Sequence, residues 1–326
     1  MDRQAFLGAI GCIVASVSAS AQQAGTTRRI GWLLLEAPLT PEEIERRGMP
    51  AVLRRLGWIE GQNLIVERRY ASFKRDLLKP LAEELVRLKV DLIVAEGTIA
   101  AVAAKEVTST TPIAVYRSAD PVGAGLAASL ARPGSNVTGI STIFPDLTFK
   151  RLQLLRELLP AARRVGEFEV PANPAYGAIH AENERAYRLL EMEPVFVRVS
   201  EASELEAAVE EVARRGGQVL HVGPEPLLFI NAETILRAAQ RHSLAVLVDN
   251  RDMLEAGGLI SYAPDEDELD GNFGSIIDKI LRGAKPADLP IVQPTKLELL
   301  INLKAAKALN IAVPQSLLMR ATAVIR

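Results

Sequence analysis

Apolar and polar positions along this chain follow two alternating patterns. Short runs that are almost wholly apolar, such as RIGWLLL (29–35) and DLIVAE (91–96), predict strands that are buried on both faces. Stretches with helical spacing lie between them. One of these, TPEEIERRGMPAVLRRLGW (40–58), predicts a helix with Thr40 as its N-cap and Pro41 in its first turn. Strands and helices that alternate in this way predict a parallel sheet with helices on both faces.

The alternation pauses near residues 141–145 and then resumes. The first run predicts strands at 29–35, 63–70, 91–96 and 111–116, and helices at 40–58, 77–89 and 98–107. A strand at 136–142 precedes the second run, which predicts strands at 163–170, 194–199, 217–222, 244–248 and 258–262, and helices at 147–160, 175–191, 203–215, 229–242 and 250–256. A long helix at 265–282 and a strand-helix unit at 293–314 follow. We predict an α/β protein of two doubly wound lobes, joined by several short crossing segments because no low-complexity linker separates the runs.

The N-terminal segment predicts export. The stretch AFLGAIGCIVASVSAS is apolar and then small. Ala19-Ser20-Ala21 has the small-x-small form of a signal peptidase site, which predicts a signal peptide over residues 1–21 and a periplasmic location. A buried N-terminal helix and lipidation of Cys12 are the alternatives. Cys12 is the only cysteine, so a chain cleaved before Gln22 has no thiol for catalysis or metal binding.

Composition and charge narrow the classes of function. The chain has 326 residues and a net charge of -2. It therefore lacks the excess of positive charge that is typical of nucleic-acid-binding proteins, and we expect no nucleic acid as a partner. No other stretch approaches the roughly 20 apolar residues that span a membrane. The sequence contains neither a Walker A motif nor a G-x-S-x-G motif, and its three histidines are far apart. We therefore predict no cofactor, no metal and no catalytic residue.

Polar residues stand where most predicted strands end, and ligands of open parallel sheets bind beyond these carboxyl ends. Thr98 follows Gly97 at the start of a helix, whose free N–H groups attract anions. Asp120 and Asp249 suit an ammonium group. A carboxylate site opposite an ammonium site describes an amino acid. The candidate ligand-binding residues are Glu36, Gly97, Thr98, Tyr116, Ser118, Asp120, Asn173, Tyr176, Pro224, Glu225, Asp249, Asn250 and Tyr262.

Turn and cap chemistry is the alternative explanation for such residues. Thr98 suits the role of cap for its own helix, and Asp249 suits that of cap for the helix predicted at 250–256. Both interpretations stay open at the level of sequence.

Several stretches together resemble a known family. They are LRRLGWIEGQNLIVERRYA (53–71), LAEELVRLKVDLIVAEGTIAAVAAK (81–105), SADPVGAGLAASLARPGSNVTGIS (118–141), KRLQLLRELLP (150–160), PANPA (171–175), EAGGLISYAPD (255–265) and ILRGAKPADLPIVQPTKLELLINLKAAKALNIAVP (280–314). This combination resembles the ABC transporter substrate-binding proteins of the family that includes tryptophan- and tyrosine-type uptake proteins. The likeness covers nearly the whole chain after the signal peptide.

The resemblance implies a type I periplasmic binding protein fold, with two α/β lobes, three crossings and a cleft that closes on a small ligand by hinge motion. It implies an N-terminal lobe at 27–141 and 263–290 and a C-terminal lobe at 142–262 and 291–326. A membrane permease is the implied partner, and we expect a monomer. One departure is VGEFEVPANP (165–174), in which the strand does not end in the Trp or Tyr that the family commonly has before NP. This departure argues against an aromatic amino acid as ligand.

Three functions are compatible with the residues. The first is a solute-binding protein of an ABC importer that performs no chemistry. The second is an exported hydrolase on a two-domain α/β scaffold, which fold alone does not reject. The third is a ligand sensor that docks to a membrane receptor. The resemblance and the lack of catalytic motifs favour the first.

Overall fold

The computed structural model describes residues 27–142, 147–173, 176–223 and 225–326. The predicted signal peptide and Pro224 lie outside these residues. In the part of the chain that is described, no helix combines the length and the apolar character that a membrane crossing requires.

The strands form two sheets. The first contains β1 (Arg28–Leu34), β2 (Leu64–Tyr70), β3 (Leu92–Glu96), β4 (Ile113–Ser118) and β5 (Val137–Ser141), in the parallel order β2-β1-β3-β4-β5. The second contains β6 (Arg164–Glu169), β7 (Glu193–Arg198), β8 (Val219–Val222), β9 (Ala245–Val248), β10 (Ile260–Pro264), β11 (Leu297–Asn302) and β12 (Ala323–Ile325). Its order is β12-β11-β10-β9-β8-β6-β7.

Helices cover both faces of each sheet, as predicted. The first sheet packs with α2 (Met49–Arg55), α3 (Leu78–Arg87), α4 (Gly97–Val107) and α11 (Glu266–Leu281), and α1 (Pro41–Arg46) lies next to α2. The second packs with α5 (Leu147–Leu158), α6 (Tyr176–Leu189), α7 (Leu205–Arg214), α8 (Pro226–Ile230), α9 (Ala232–Arg241), α10 (Arg251–Glu255), α12 (Leu303–Ala308) and α13 (Gln315–Arg320). We call these two assemblies the first lobe and the second lobe.

Two sequence predictions about individual elements are wrong. The single helix predicted at 40–58 is divided into α1 and α2, because Gly48 adopts a φ of 79° and Pro50 stands in the first turn of α2. The second sheet is not wholly parallel, since β10 and β11 pair antiparallel. The segment that ends the chain also adds α13 and β12, which the pattern did not predict.

The chain passes between the lobes three times, after β5, between β10 and α11, and between α11 and β11. The third passage is bound to the first, because the Val292 N–H donates to the Gly139 carbonyl and the Ser141 N–H donates to the Val292 carbonyl, each at 2.9 Å. The Asp265 N–H donates to the Lys296 carbonyl at 3.0 Å and joins the second passage to the third. These bonds make the three passages one hinge.

Asp265 caps α11 at this hinge, since its Oδ1 accepts from the Glu268 N–H at 2.7 Å. We expect Asp265→Ala to lower the free energy of unfolding by about 1 kcal/mol, the usual cost of losing an N-cap. Asp267→Ala, which removes an exposed acidic residue from the same first turn without removing the cap, is the control. Urea unfolding followed by circular dichroism measures both. Equal losses in the two variants would contradict a capping role.

Candidate functional site

The carboxyl ends of the two sheets face each other. Arg75 lies in a short 3-10 turn after β2, and its Nη1 donates to the carbonyl of Ala172, which follows β6. This hydrogen bond joins the two lobes at the sheet edges that are formed by the carboxyl ends of the strands. The space between these edges is the cleft in which ligands of open parallel sheets bind.

Thr98 does not cap its own helix, so the cap interpretation is wrong. Glu96 is the N-cap of α4, and its side chain makes no capping hydrogen bond to this helix. Gly97 begins the helix with a φ of 83°, which lets the chain turn sharply out of β3. Thr98 Oγ1 accepts from the Ala119 N–H at 3.0 Å and lies 3.1 Å from Ser118 Oγ. Residues 97, 98 and 118, all predicted, therefore meet at one point.

The hydroxyls of Thr98 and Ser118 together retain one hydrogen that can be donated to a ligand. Thr98 and Ser118 carry two O–H donors, and their mutual bond uses one of them. The other stands beside the first turn of α4, whose N–H groups have no partner within the helix. This corner of the cleft is thus rich in donors, and donors near a helix N-terminus favour an anionic group.

Glu36, at the end of β1, does not offer a free carboxylate. Arg47 donates two hydrogen bonds to the Glu36 carboxylate, from Nη1 at 2.6 Å and from Nη2 at 2.5 Å. Arg47 Nη1 also lies 3.4 Å from Glu96 Oε1. Burial raises the pKa of Glu36, the Glu96 carboxylate raises it further, and Arg47 opposes both effects. Arg47 lies in the loop between α1 and α2 and is not among the residues predicted from the sequence.

Tyr116 and Asp120 serve local packing and turn structure. The Tyr116 hydroxyl donates to Asp270 Oδ1 at 2.5 Å, and its ring lies 4.7 Å from that of Phe273 on α11. Burial raises the pKa of Tyr116 above its usual range. Asp120 Oδ1 accepts from the Gly123 N–H at 2.8 Å in the turn after β4. Both predicted residues therefore already have partners within the first lobe.

On the second lobe, the structure brings Asn173 and Glu225 together. Asn173 Nδ2 donates to Glu225 Oε1 at 2.5 Å. Burial raises the pKa of the Glu225 carboxyl to about 7, while this hydrogen bond and the charge of Arg75 lower it. Tyr176 lies nearby in sequence, and its hydroxyl donates to Glu169 Oε1 at 3.2 Å. Two predicted residues thus form one polar pair at the edge of this lobe.

Asp249 is bound by two cations. Its Oδ2 lies 2.9 Å from Arg151 Nη1, and its Oδ1 lies 3.1 Å from His221 Nε2. Arg151 also donates from Nε to the Tyr262 carbonyl at 2.8 Å. The interpretation of Asp249 as a helix cap is wrong, because Asn250 caps α10 by accepting from the Met253 N–H at 2.7 Å.

Arg151, Asp249, His221 and Glu167 form what we call the buried charge network. His221 Nδ1 lies 2.8 Å from Glu167 Oε2, and all four residues are buried. Two α6 side chains complete the coordination of Glu167: the Tyr187 hydroxyl donates at 2.7 Å and Asn183 Nδ2 at 2.9 Å. Burial alone would lower the pKa of His221, but the Glu167 and Asp249 carboxylates raise it to about 10.

With its imidazole protonated, the network holds two positive and two negative charges. This network was not predicted from the sequence, in which His221 stands at the end of a predicted strand. A polar residue inside the otherwise apolar VLHV of β8 was the available signal.

Two lobes with parallel-dominated sheets, three crossings and a cleft define a type I periplasmic binding protein fold, and this prediction is confirmed. The chain matches the family model of ABC transporter substrate binding proteins over residues 41–325, and it belongs to this family. A tyrosine-binding protein of Clostridioides difficile strain R20291 is 26% identical over 270 residues, which are 81% of this chain and 76% of that protein.

Solved structures that share this fold include two bacterial proteins. The ABC domain from Streptococcus pneumoniae in complex with L-Trp superposes with a TM-score of 0.84 at 24% identity, covering 92% of this chain and 100% of that chain. A ligand-free, open substrate binding protein with adhesive properties from Clostridium difficile gives a TM-score of 0.65 at 23% identity. It covers 91% of this chain and 99% of the other.

Proposed function

We propose that this substrate-binding protein holds an amino acid, or a related small carboxylate, in the cleft between its lobes and presents it to the permease of an ABC importer. The observation that carries the proposal is the donor-rich corner of Gly97, Thr98 and Ser118 at the start of α4. Relatives that bind tyrosine and L-Trp support an amino acid as the ligand class.

In this proposal the ligand carboxylate accepts from the remaining hydroxyl hydrogen and from first-turn N–H groups of α4. The ammonium group then lies toward the second lobe, where Glu225 and Asn173 stand. Glu225 suits this role better than Asp249, because Arg151 and His221 already neutralise the Asp249 carboxylate. A contact between Asp249 and the ligand stays a prediction.

The remaining parts of the proposal concern location and assembly. Export by the predicted signal peptide places the protein in the periplasm, where it acts as a monomer. The lobe boundaries that we propose are those of the sequence analysis, with the second boundary moved to follow β10, which ends at Pro264.

A binding screen tests the function. The purified protein is titrated calorimetrically with L-tyrosine, L-tryptophan, small aliphatic amino acids, the matching amines that lack a carboxylate, and the matching carboxylic acids that lack the amine. We expect saturable heat with at least one amino acid and at least tenfold weaker binding of its decarboxylated amine. Equal binding of acid and amine would remove the carboxylate corner from the proposal. Consumption of the compound during the titration would instead indicate an enzyme.

Thr98→Val tests the corner itself, because valine keeps the shape and removes the hydroxyl. We expect the dissociation constant for the amino acid found in the screen to rise about 10- to 100-fold, the equivalent of one hydrogen bond to a charged group. Thr110→Val, at an exposed loop position of the same lobe, is the matched control and should leave affinity unchanged. An unchanged affinity in Thr98→Val would exclude this hydroxyl from the ligand site.

A further inference from the structure

Arg75 is placed where it can respond to closure of the cleft. The hinge leaves the first sheet from β5, and β2 is the strand at the opposite edge of that sheet. In the second sheet, β6 lies near the edge that is farthest from β10 and β11, where the hinge enters. The bond from Arg75 to the Ala172 carbonyl therefore joins the lobes at the mouth of the cleft. Opening about the hinge moves the mouth more than any other part of the cleft.

The loop that carries Arg75 is held in an uncommon conformation. Ser72 and Phe73 both have left-handed backbones, with φ of 47° and 65°. Their N–H groups donate to carbonyls at the end of β1, Ser72 to Glu36 at 3.0 Å and Phe73 to Leu35 at 2.6 Å. Consecutive non-glycine residues in this region are strained, and such strain persists only where surrounding bonds impose it. The loop thus fixes the position from which Arg75 reaches the other lobe.

The second lobe presents complementary chemistry to Arg75. The Ala172 carbonyl accepts a hydrogen bond from Arg75. The positive charge of Arg75 also interacts with the Glu225 carboxylate and lowers its pKa. Glu225 is 8% exposed and is bound by Asn173 Nδ2, so its position is fixed. Arg75 is itself half-buried, although its loop neighbours Phe73 and Lys74 are exposed.

We infer that Arg75 is an interlobe latch, which stabilises the closed form by binding the Ala172 carbonyl and attracting the Glu225 carboxylate. This inference rests on the proposed cleft, but the bond from Arg75 to the Ala172 carbonyl joins the lobes without any ligand. It makes the closed form partly accessible without ligand. It also makes closure depend on pH: burial raises the pKa of Glu225 to about 7, so acidification removes the charge that attracts Arg75.

Distance measurements between the lobes test the latch without any ligand. The full chain carries Cys12→Ser, and nitroxide labels are attached at Lys79→Cys on α3 and Ser203→Cys after β7, both exposed. Pulsed electron resonance at pH 8 should show a short-distance population for the closed form. We expect Arg75→Ala to lower the ratio of closed to open form about tenfold, the equivalent of one hydrogen bond to a charged group, and Arg75→Lys to lower it less.

Arg87→Ala is the matched control, because Arg87 is an exposed arginine of the same lobe with a long contact to Glu83. It should leave the distances unchanged. Acidification to pH 6 should reduce the closed population of the unaltered chain but not that of Glu225→Gln. A chain without a short-distance population, or an Arg75→Ala variant that keeps it, would overturn the latch. These outcomes are read without ligand, so they are separate from failure of every amino acid to bind, which would overturn the proposed function.

Discussion

Replacing Arg151 by alanine should lower the free energy of unfolding by about 3–5 kcal/mol. The side chain of Asp249 is only 1% exposed and lies in the core of the second lobe, 2.9 Å from Arg151. Arg151→Ala therefore leaves a buried carboxylate without this ion-pair partner. Breaking a buried ion pair by removing one member costs this much because the remaining charge stays desolvated. Guanidinium unfolding, followed by circular dichroism, measures the loss.

Two further variants separate the buried charge from a loss of packing. Arg214→Ala removes an arginine from the exposed pair with Glu211 and should cost less than about 1 kcal/mol. The double variant Arg151→Met with Asp249→Asn should cost clearly less than the sum of the two single changes, because no unpaired charge remains. Strict additivity, or a loss below about 1 kcal/mol in Arg151→Ala, would show that the pair contributes nothing.

The free energy of unfolding should fall as the pH rises from about 6.5 to about 10. In the folded protein the pKa of His221 is about 10, compared with 6.5 for an unperturbed histidine. The folded state therefore binds this proton more tightly than the unfolded chain does. The resulting stability is fully present below pH 6.5 and is lost as the pH rises through the folded pKa. At 1.36 kcal/mol per pKa unit, the loss has an upper limit of roughly 4–5 kcal/mol.

His221→Gln removes this titration and provides the comparison. We expect the unfolding free energy of the unaltered protein to drop between pH 6.5 and 9.5 by several kcal/mol more than that of His221→Gln. His242→Gln, at an exposed histidine at the end of α9, is the matched control and should follow the unaltered protein. Parallel pH curves for the unaltered protein and His221→Gln would mean that the imidazole is not charged in the folded state.

The architecture was predictable because it depends on local periodicity. Buried strands such as β3, followed at once by a helix such as α4, give a strong signal in a single sequence. The division between α1 and α2 was harder to see, since the apolar spacing continues across Gly48, where the left-handed backbone and the following Pro50 separate the two helices. The antiparallel β11 depends on the direction in which the hinge enters the second sheet, which no local pattern encodes.

The candidate site was predictable in position but not in partners. The rule that ligands collect at carboxyl strand ends led to Thr98, Ser118, Asn173 and Glu225, and the structure places each of them in a polar pair. Asp249 shows the limit of this rule. Its partner Arg151 is almost a hundred residues away and comes from a helix face that looks like an ordinary amphipathic surface. A buried ion pair depends on which helices and strands pack against each other. The residue types at the end of one strand do not predict that packing.

The position of α11 has a consequence for the order in which the protein can fold. This helix covers the face of the first sheet with Phe273, Ile276 and Ile277, yet it is synthesised after β6–β10 of the other lobe. The second sheet in turn lacks β11 and β12 until residues 297–302 and 323–325 are made. A ribosome-bound chain that ends before residue 266 therefore contains a first sheet with one uncovered apolar face and a second sheet that lacks its last two strands. Folding of both lobes is a late event that depends on pairings distant in sequence, which are slow to form and leave incomplete chains prone to aggregation.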